Sequence, residues 1–254
     1  MEWYMILALV GVGIFTGFIN ILAGSGSLIT LPFLVFLGLD PHTANGTNRI
    51  GILFQSLVGV TAFKKQKVFT WKETIWLAIP AIIGSVVGSR LAVDVNEDVL
   101  DKVIGGLLIF MFFFILIKPN KWLKEKSDSV SAKPGVLSFI IFFVIGIYGG
   151  FIQAGVGFFL LAGLVLGAGM DLIKANAIKV LLTMAFTPLA LAMFIYYGQV
   201  NYEYGFILAG GNMIGAFIGT KVSVSWGPKF VRYVLLATLL FAGPAYLGVQ
   251  LDFF

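Results

Sequence analysis

Apolar runs close to membrane length recur from one end of the sequence to the other, and no other feature restricts the fold as much. Stretches such as MEWYMILALVGVGIFTGFINIL, TIWLAIPAIIGSVVG and VIGGLLIFMFFFILI approach the ~20 residues a helix needs to cross ~30 Å of hydrocarbon. At that depth every backbone N–H and C=O must be paired inside the protein, which leaves helices or a closed barrel. The runs show no alternation of polar and apolar residues, so a β-barrel is excluded. With 59% of the 254 residues hydrophobic and 11% charged, and a mean hydropathy of +0.99, the chain is expected to be an all-α polytopic membrane protein. Its first run lacks a basic leader and an A-x-A-like cleavage site, so it is expected to be a retained helix.

The sequence has no cysteine, which removes disulfides, thiol chemistry and thiolate-bound metals, and its single histidine, His42, makes no multi-histidine metal site within one chain. No cofactor is expected. The net charge of +5 would suggest nucleic acid in a soluble protein. Here the lysines cluster in loops, where cytoplasmic orientation accounts for them, so lipid and not nucleic acid is the expected surrounding.

The chain repeats itself. A shift of 131 residues places Ala23-Gly24-x-Gly26 on Ala154-Gly155-x-Gly157, Gly38 on Gly169, Asp40 on Asp171 and Ala44-Asn45 on Ala175-Asn176. The same shift, without a gap, puts Gly84, Gly88 and Arg90 on Gly215, Gly219 and Lys221. Glycine matches by chance are common, but a constant offset over about seventy residues is not. Two membrane halves are expected, 1–118 and 135–254, joined by a polar linker over 119–134.

Basic residues distinguish parallel from inverted halves. If the short runs at 27–39 and 158–170 both cross, each half has five crossings and the halves are inverted. Fourteen lysines and arginines then lie on the cytoplasmic side, and only Arg49, Arg90 and Lys102 outside. If both runs are re-entrant the count is nine against eight, so the positive-inside rule favours ten crossings. They are expected near 3–22, 27–39, 47–63, 74–92 and 99–117, then 135–152, 158–170, 176–197, 204–220 and 231–249.

A helix over 27–39 is about 20 Å long, too short for ~30 Å of hydrocarbon. The AGxG sequence before it must therefore lie within the membrane, where non-helical backbone is tolerated only against protein or a water-filled cavity. The first N–H groups of a helix lack internal partners and carry the positive end of its dipole, which suits an anion. Gly24, Gly26, Gly155 and Gly157 are thus candidates for a binding loop, with the hydroxyls of Ser25 and Ser27 offered to the ligand in the first half only, since Val156 and Phe158 replace them in the second. Gly84, Gly88, Gly215 and Gly219, spaced as GxxxG, are instead expected to pack helices.

The stretch AGSGSLITLPFLVFLGLDPHTANGTNRIGILFQSLVG resembles the TauE/SafE family of membrane permeases, also called sulfite exporters. In that family a glycine-rich loop precedes a short hydrophobic segment ending L-G-[LI]-x-P-H-x-A-x-G-T-N, and a degenerate second copy follows. The resemblance covers essentially the whole chain, the second copy being AGVGFFLLAGLVLGAGMDLIKANAIK. It implies a secondary transporter of small sulfur-containing anions such as sulfite, thiosulfate or organosulfonates, in the cell membrane. The family carries more glycine in its first loop, so Ser25 and Ser27 depart from it.

On this motif Asn45, Thr47 and Asn48 fall at the expected start of the third helix, where they either cap it or touch ligand. Asn176, the counterpart of Asn45, carries the same two readings, and Lys179 either balances an anion or snorkels to the interface. Asn20, Gln55, Gln153, Thr187 and Asn212 are polar positions within crossings and should face the bundle. No aspartate or glutamate falls in the middle of a crossing, so no carboxylate proton relay is legible. A dianion leaving a cell that is negative inside gains about 4.6 kcal/mol per 100 mV, enough to drive export without a coupling ion. An anion channel or an assembly protein of the same fold are the alternatives, an enzyme is not expected because titratable groups do not cluster, and a homodimer is compatible with the chain.

Overall fold

The structure is a computed structural model and describes residues 2–68, 71–93 and 135–246. Its helices are α1 (Trp3–Leu22), α2 (Ser27–Phe36), α3 (Pro41–Lys65), α4 (Trp71–Ala92), α5 (Val136–Phe151), α6 (Val156–Ala162, running into a π-helical turn at Gly163–Gly167), α7 (Leu172–Tyr196) and α8 (Tyr202–Tyr246). Among the described residues there is no strand. Among the described residues four stretches combine the length and apolarity needed to cross a membrane, namely Trp3–Leu22, Ile75–Ala92, Leu172–Tyr196 and Tyr202–Val234. The crossing expected over 99–117, the linker over 119–134 and the last residues of the crossing expected over 231–249 lie outside the described residues.

Boundaries move where local chemistry outweighs hydropathy. α2 stops at Phe36 because Gly38 takes a left-handed φ of 93°. There the N–H of Gly38 returns to Val35 O and that of Leu39 to Leu34 O, closing the helix end. α3 starts six residues before the expected position, since Asp40 Oδ1 accepts from the Thr43 N–H at 3.0 Å and Pro41 occupies the first helical position. Asp171 caps α7 in the same way, accepting from the Ile173 and Lys174 N–H groups at 2.9 Å. α8 breaks at Gly227, whose φ of 75° and ψ of −174° are not helical, between the crossings expected at 204–220 and 231–249.

Lipid provides little hydrophobic drive between helices, so close backbone approach at small residues holds such a bundle together. α1 lies along α8, where a Cβ on Gly13 or Gly17 would meet the backbone of Leu208 or Asn212, and one on Gly215 would meet that of Ile14. α4 lies along α5 through Gly84 and Gly88 against Phe143 and Ile147, with Gly146 and Gly150 returning the contact to Ala81 and Ser85. Along α3, Gly46 meets Phe194 while Gly59 meets Val180, so α3 and α7 run antiparallel. Gly51 meets Leu208 and Gly205 meets Ile50, and Thr47 bonds Asn201, so α3 and α8 run in the same sense. Large apolar residues such as Trp3, Phe36, Ile75, Leu137 and Trp226 face outward, whereas Asn48, Arg49, Thr187 and Lys179 are buried. That inside-out distribution suits a chain whose solvent is hydrocarbon.

Candidate functional site

The two AGxG breaks meet. Gly24 and Gly155 both take left-handed φ values, 76° and 70°, a conformation that costs a residue with a Cβ about 1–2 kcal/mol. The Gly157 N–H donates to Gly24 O at 3.2 Å. A Cβ on either Gly24 or Gly157 would collide with the Cα of the other. Gly26 donates its N–H to Asn20 Oδ1 at 2.7 Å, so Asn20, from the last turn of α1, holds the start of α2. Ser27 Oγ accepts from Asn48 Nδ2 at 3.0 Å, while Ser25 Oγ is buried without a hydrogen-bond partner. In the second loop, Tyr148 Oη donates to Ala154 O at 2.6 Å.

Two buried cations flank the breaks. Lys179, only 2% exposed, does not snorkel to the interface; its Nζ donates to Asn20 O and Ile21 O at 2.9 and 2.8 Å. These are carbonyls of the last turn of α1, at the negative end of its dipole, and Asn20 O also accepts from the Gly24 N–H at 2.8 Å. Arg49, counted from the sequence with the basic residues of the outer side, is fully buried in the bundle. Its Nη1 donates to Gly149 O at 3.1 Å and Gln153 Oε1 at 3.0 Å, and its Nη2 to Gly150 O at 2.7 Å and Asn45 Oδ1 at 3.3 Å. The guanidinium also lies over the Phe194 ring, 4.6 Å from its centroid. So a cation from α7 closes the end of α1, and one from α3 closes the end of α5. Under the 131-residue shift Lys179 falls on Asn48, one position from Arg49, and that offset of a single residue hid the correspondence. Among the described residues neither cation meets a carboxylate.

The motif residues are not caps. Asn45, Thr47 and Asn48 lie inside α3 because Asp40 starts it, and they reach to other segments. Asn45 Nδ2 donates to Phe151 O at 2.9 Å, Thr47 Oγ1 accepts from the Asn201 N–H at 2.9 Å, and Asn176 Nδ2 donates to Ser223 Oγ at 3.1 Å. A cavity lies between the two breaks, and Gly24, Ser27, Gly157 and Lys179 are in its wall together with Asn20, Gln55, Ser56, Gln153 and Thr183. Ser25, Gly26, Asn45, Thr47, Asn48, Gly155 and Asn176 are outside that wall. Sequence reasoning missed Ser56 and Thr183, although Ser56 falls on Thr187 under the repeat shift. The cavity measures about 20 Å³, room for a water and not for a polyatomic anion. Among the described residues no three His, Cys, Asp or Glu side chains come together as a metal site.

An all-helical membrane bundle broken at two touching loops, with a buried ammonium on the cavity between them, has the form of a transporter. The relatives agree with that class. The chain is 30% identical to "Probable membrane transporter protein ORF9" of Sinorhizobium sp over 236 residues, covering 91% of this chain and 90% of that one. It is 28% identical to "Probable membrane transporter protein YfcA" of Escherichia coli K12 over 89% of this chain and 83% of the relative. It is also 28% identical to "Probable membrane transporter protein YdhB" of Bacillus subtilis, over 98% and 99%. Residues 9–246 match the family described as sulfite exporter TauE/SafE, and the chain belongs to that family. No solved structure gives a significant match.

Proposed function

We propose that the protein is a secondary transporter that moves small sulfur-containing anions, such as sulfite, thiosulfate or organosulfonates, across the cytoplasmic membrane by alternating access between two inverted halves. The observation that carries this reading is Lys179, a buried ammonium on the cavity wall with no carboxylate partner among the described residues. A cation held by carbonyls alone leaves net positive charge at that depth, and an incoming anion neutralises it. The antiparallel course of α3 and α7, which the repeat shift superimposes, supports inversion. So does the charge count: without the buried Lys179 and Arg49 it is thirteen against two in the same sense. A cavity of about 20 Å³ suits a closed state that opens to admit solute, as alternating access requires.

The test is counterflow in proteoliposomes with radiolabelled sulfite or thiosulfate. Saturable uptake, accelerated by the same unlabelled anion on the far side, is the expected result. Flux that never saturates identifies a channel, and no flux of any sulfur anion overturns the reading.

A further inference from the structure

We propose that Gln55 and Gln153 are specificity-determining residues whose amides are polarised by two hydrogen-bond relays. The cavity then presents donors, and it selects a fully deprotonated oxyanion over one that carries its own hydroxyl proton. This rests on the transport reading above and names the ligand chemistry of the same cavity.

Each relay begins at a group that can only donate, which fixes the orientation of every amide after it. In the first, the Gly26 N–H donates to Asn20 Oδ1 at 2.7 Å. Asn20 must then present Nδ2, and it donates to Gln55 Oε1 at 3.3 Å. With its oxygen occupied, Gln55 has its Nε2 to offer the cavity, whose wall it forms. In the second relay the guanidinium of Arg49 donates to Gln153 Oε1 at 3.0 Å. Gln153 Nε2 uses one proton on Thr187 Oγ1 at 3.1 Å and retains the other. Gln153 also lines the cavity.

The remaining groups point the same way. Lys179 uses two of its ammonium protons on Asn20 O and Ile21 O and keeps a third. Those two carbonyls are thereby occupied, as is Gly24 O by the Gly157 N–H. Among the described residues no carboxylate is in the wall, and of its side chains only the hydroxyls of Ser27, Ser56 and Thr183 can take either role. Sulfate, sulfite and thiosulfate dianions accept hydrogen bonds and donate none. Hydrogen phosphate has the same charge and nearly the size of sulfate, but its P–OH meets donors over most of the wall and must take one of the few hydroxyls as acceptor, which costs it a hydrogen bond that sulfate keeps.

The experiment measures binding of sulfate, thiosulfate and phosphate to the purified full-length protein, at a pH where phosphate is mainly the hydrogen phosphate dianion. Sulfate and thiosulfate should bind at least ~10-fold more tightly than phosphate. In Asn20→Asp the carboxylate can only accept, so it keeps the Gly26 N–H but obliges Gln55 to turn its Nε2 inward and its Oε1 to the cavity. The added charge weakens both dianions alike, so the sulfate-to-phosphate ratio reads amide polarity, and it should fall at least ~10-fold. Gln153→Glu makes the same test in a variant that retains Arg49 as a partner and so protects folding. Oxyanion binding without preference over phosphate, or an unchanged ratio in a folded variant, overturns the relays and leaves the transport reading standing. Failure of the wild type to bind any of the three anions overturns the relays, and the same failure with sulfite and an organosulfonate overturns the transport reading as well.

Discussion

Lys179 and Arg49 occupy related places, yet their removal should have different consequences. Lys179→Met keeps the length of the side chain and deletes the charge. It removes two charge-assisted hydrogen bonds, to Asn20 O and Ile21 O, at about 1.5–3 kcal/mol each. Against that loss stands the several kcal/mol spent on desolvating a buried ammonium. The two nearly cancel, and the net change in stability should lie within about 2 kcal/mol of zero. Anion affinity has no such compensation. Truncating one partner of a buried charge pair costs about 2–5 kcal/mol, so sulfite or thiosulfate binding should weaken by at least ~30-fold. Arg49→Met leaves Gly149 O, Gly150 O and Gln153 Oε1 without their donor, and no anion stands to gain, because Arg49 is not in the cavity wall. It should destabilise the fold by about 3–5 kcal/mol and lower the yield of folded protein. Thermal unfolding in detergent together with anion binding by calorimetry separates the two effects. Lys179→Met that binds anion within threefold of wild type would refute the assignment of its charge to the ligand.

Gly24→Ala combines a left-handed φ of 76° with a collision against Gly157. Thermal unfolding should show a loss of about 2–4 kcal/mol, whereas Gly38→Ala, with a φ of 93° and nothing nearby, should lose only the 1–2 kcal/mol of backbone strain. At Asp40, burial raises the carboxyl pKa, but the Thr43 hydrogen bonds and the charge of His42 outweigh it and hold the pKa below the ordinary value of 3.8. Because the folded-state pKa is depressed, the contribution is present above the unfolded pKa and is lost as pH falls through the folded value. Asp40→Ala should cost about 1 kcal/mol at neutral pH, and the difference from wild type should vanish in unfolding experiments well below pH 3.8. Single cysteines at the exposed positions Lys65 and Ser225 should react with an impermeant maleimide from one side of the membrane, and a cysteine at Glu203 from the other. Labelling of the Lys65 and Ser225 positions from opposite sides would refute the inverted halves.

Much of the backbone was legible before any coordinates. Two pairs of glycines that match across 131 residues, Gly24 with Gly155 and Gly38 with Gly169, all adopt positive φ. That is a local requirement, set by what a residue without a Cβ allows, and a sequence states such requirements directly. Helix starts were less legible. Hydropathy placed the third helix at 47 because DPHTAN is polar, but Asp40 and Pro41 begin it at 41 and turn Asn45, Asn48 and Arg49 inward.

The sequence by itself determined the solvent, the helical class, the repeat and the positions of the two breaks, because each depends on composition or on neighbours along the chain. Only the tertiary structure decided where the charges go. Arg49 finds its carbonyls about 100 residues away and Lys179 about 159 residues away, across helices whose packing no periodicity encodes. A lysine that could have reached the interface is instead drawn inward by the carbonyls at the end of another helix, where hydrocarbon offers no water to complete their hydrogen bonding.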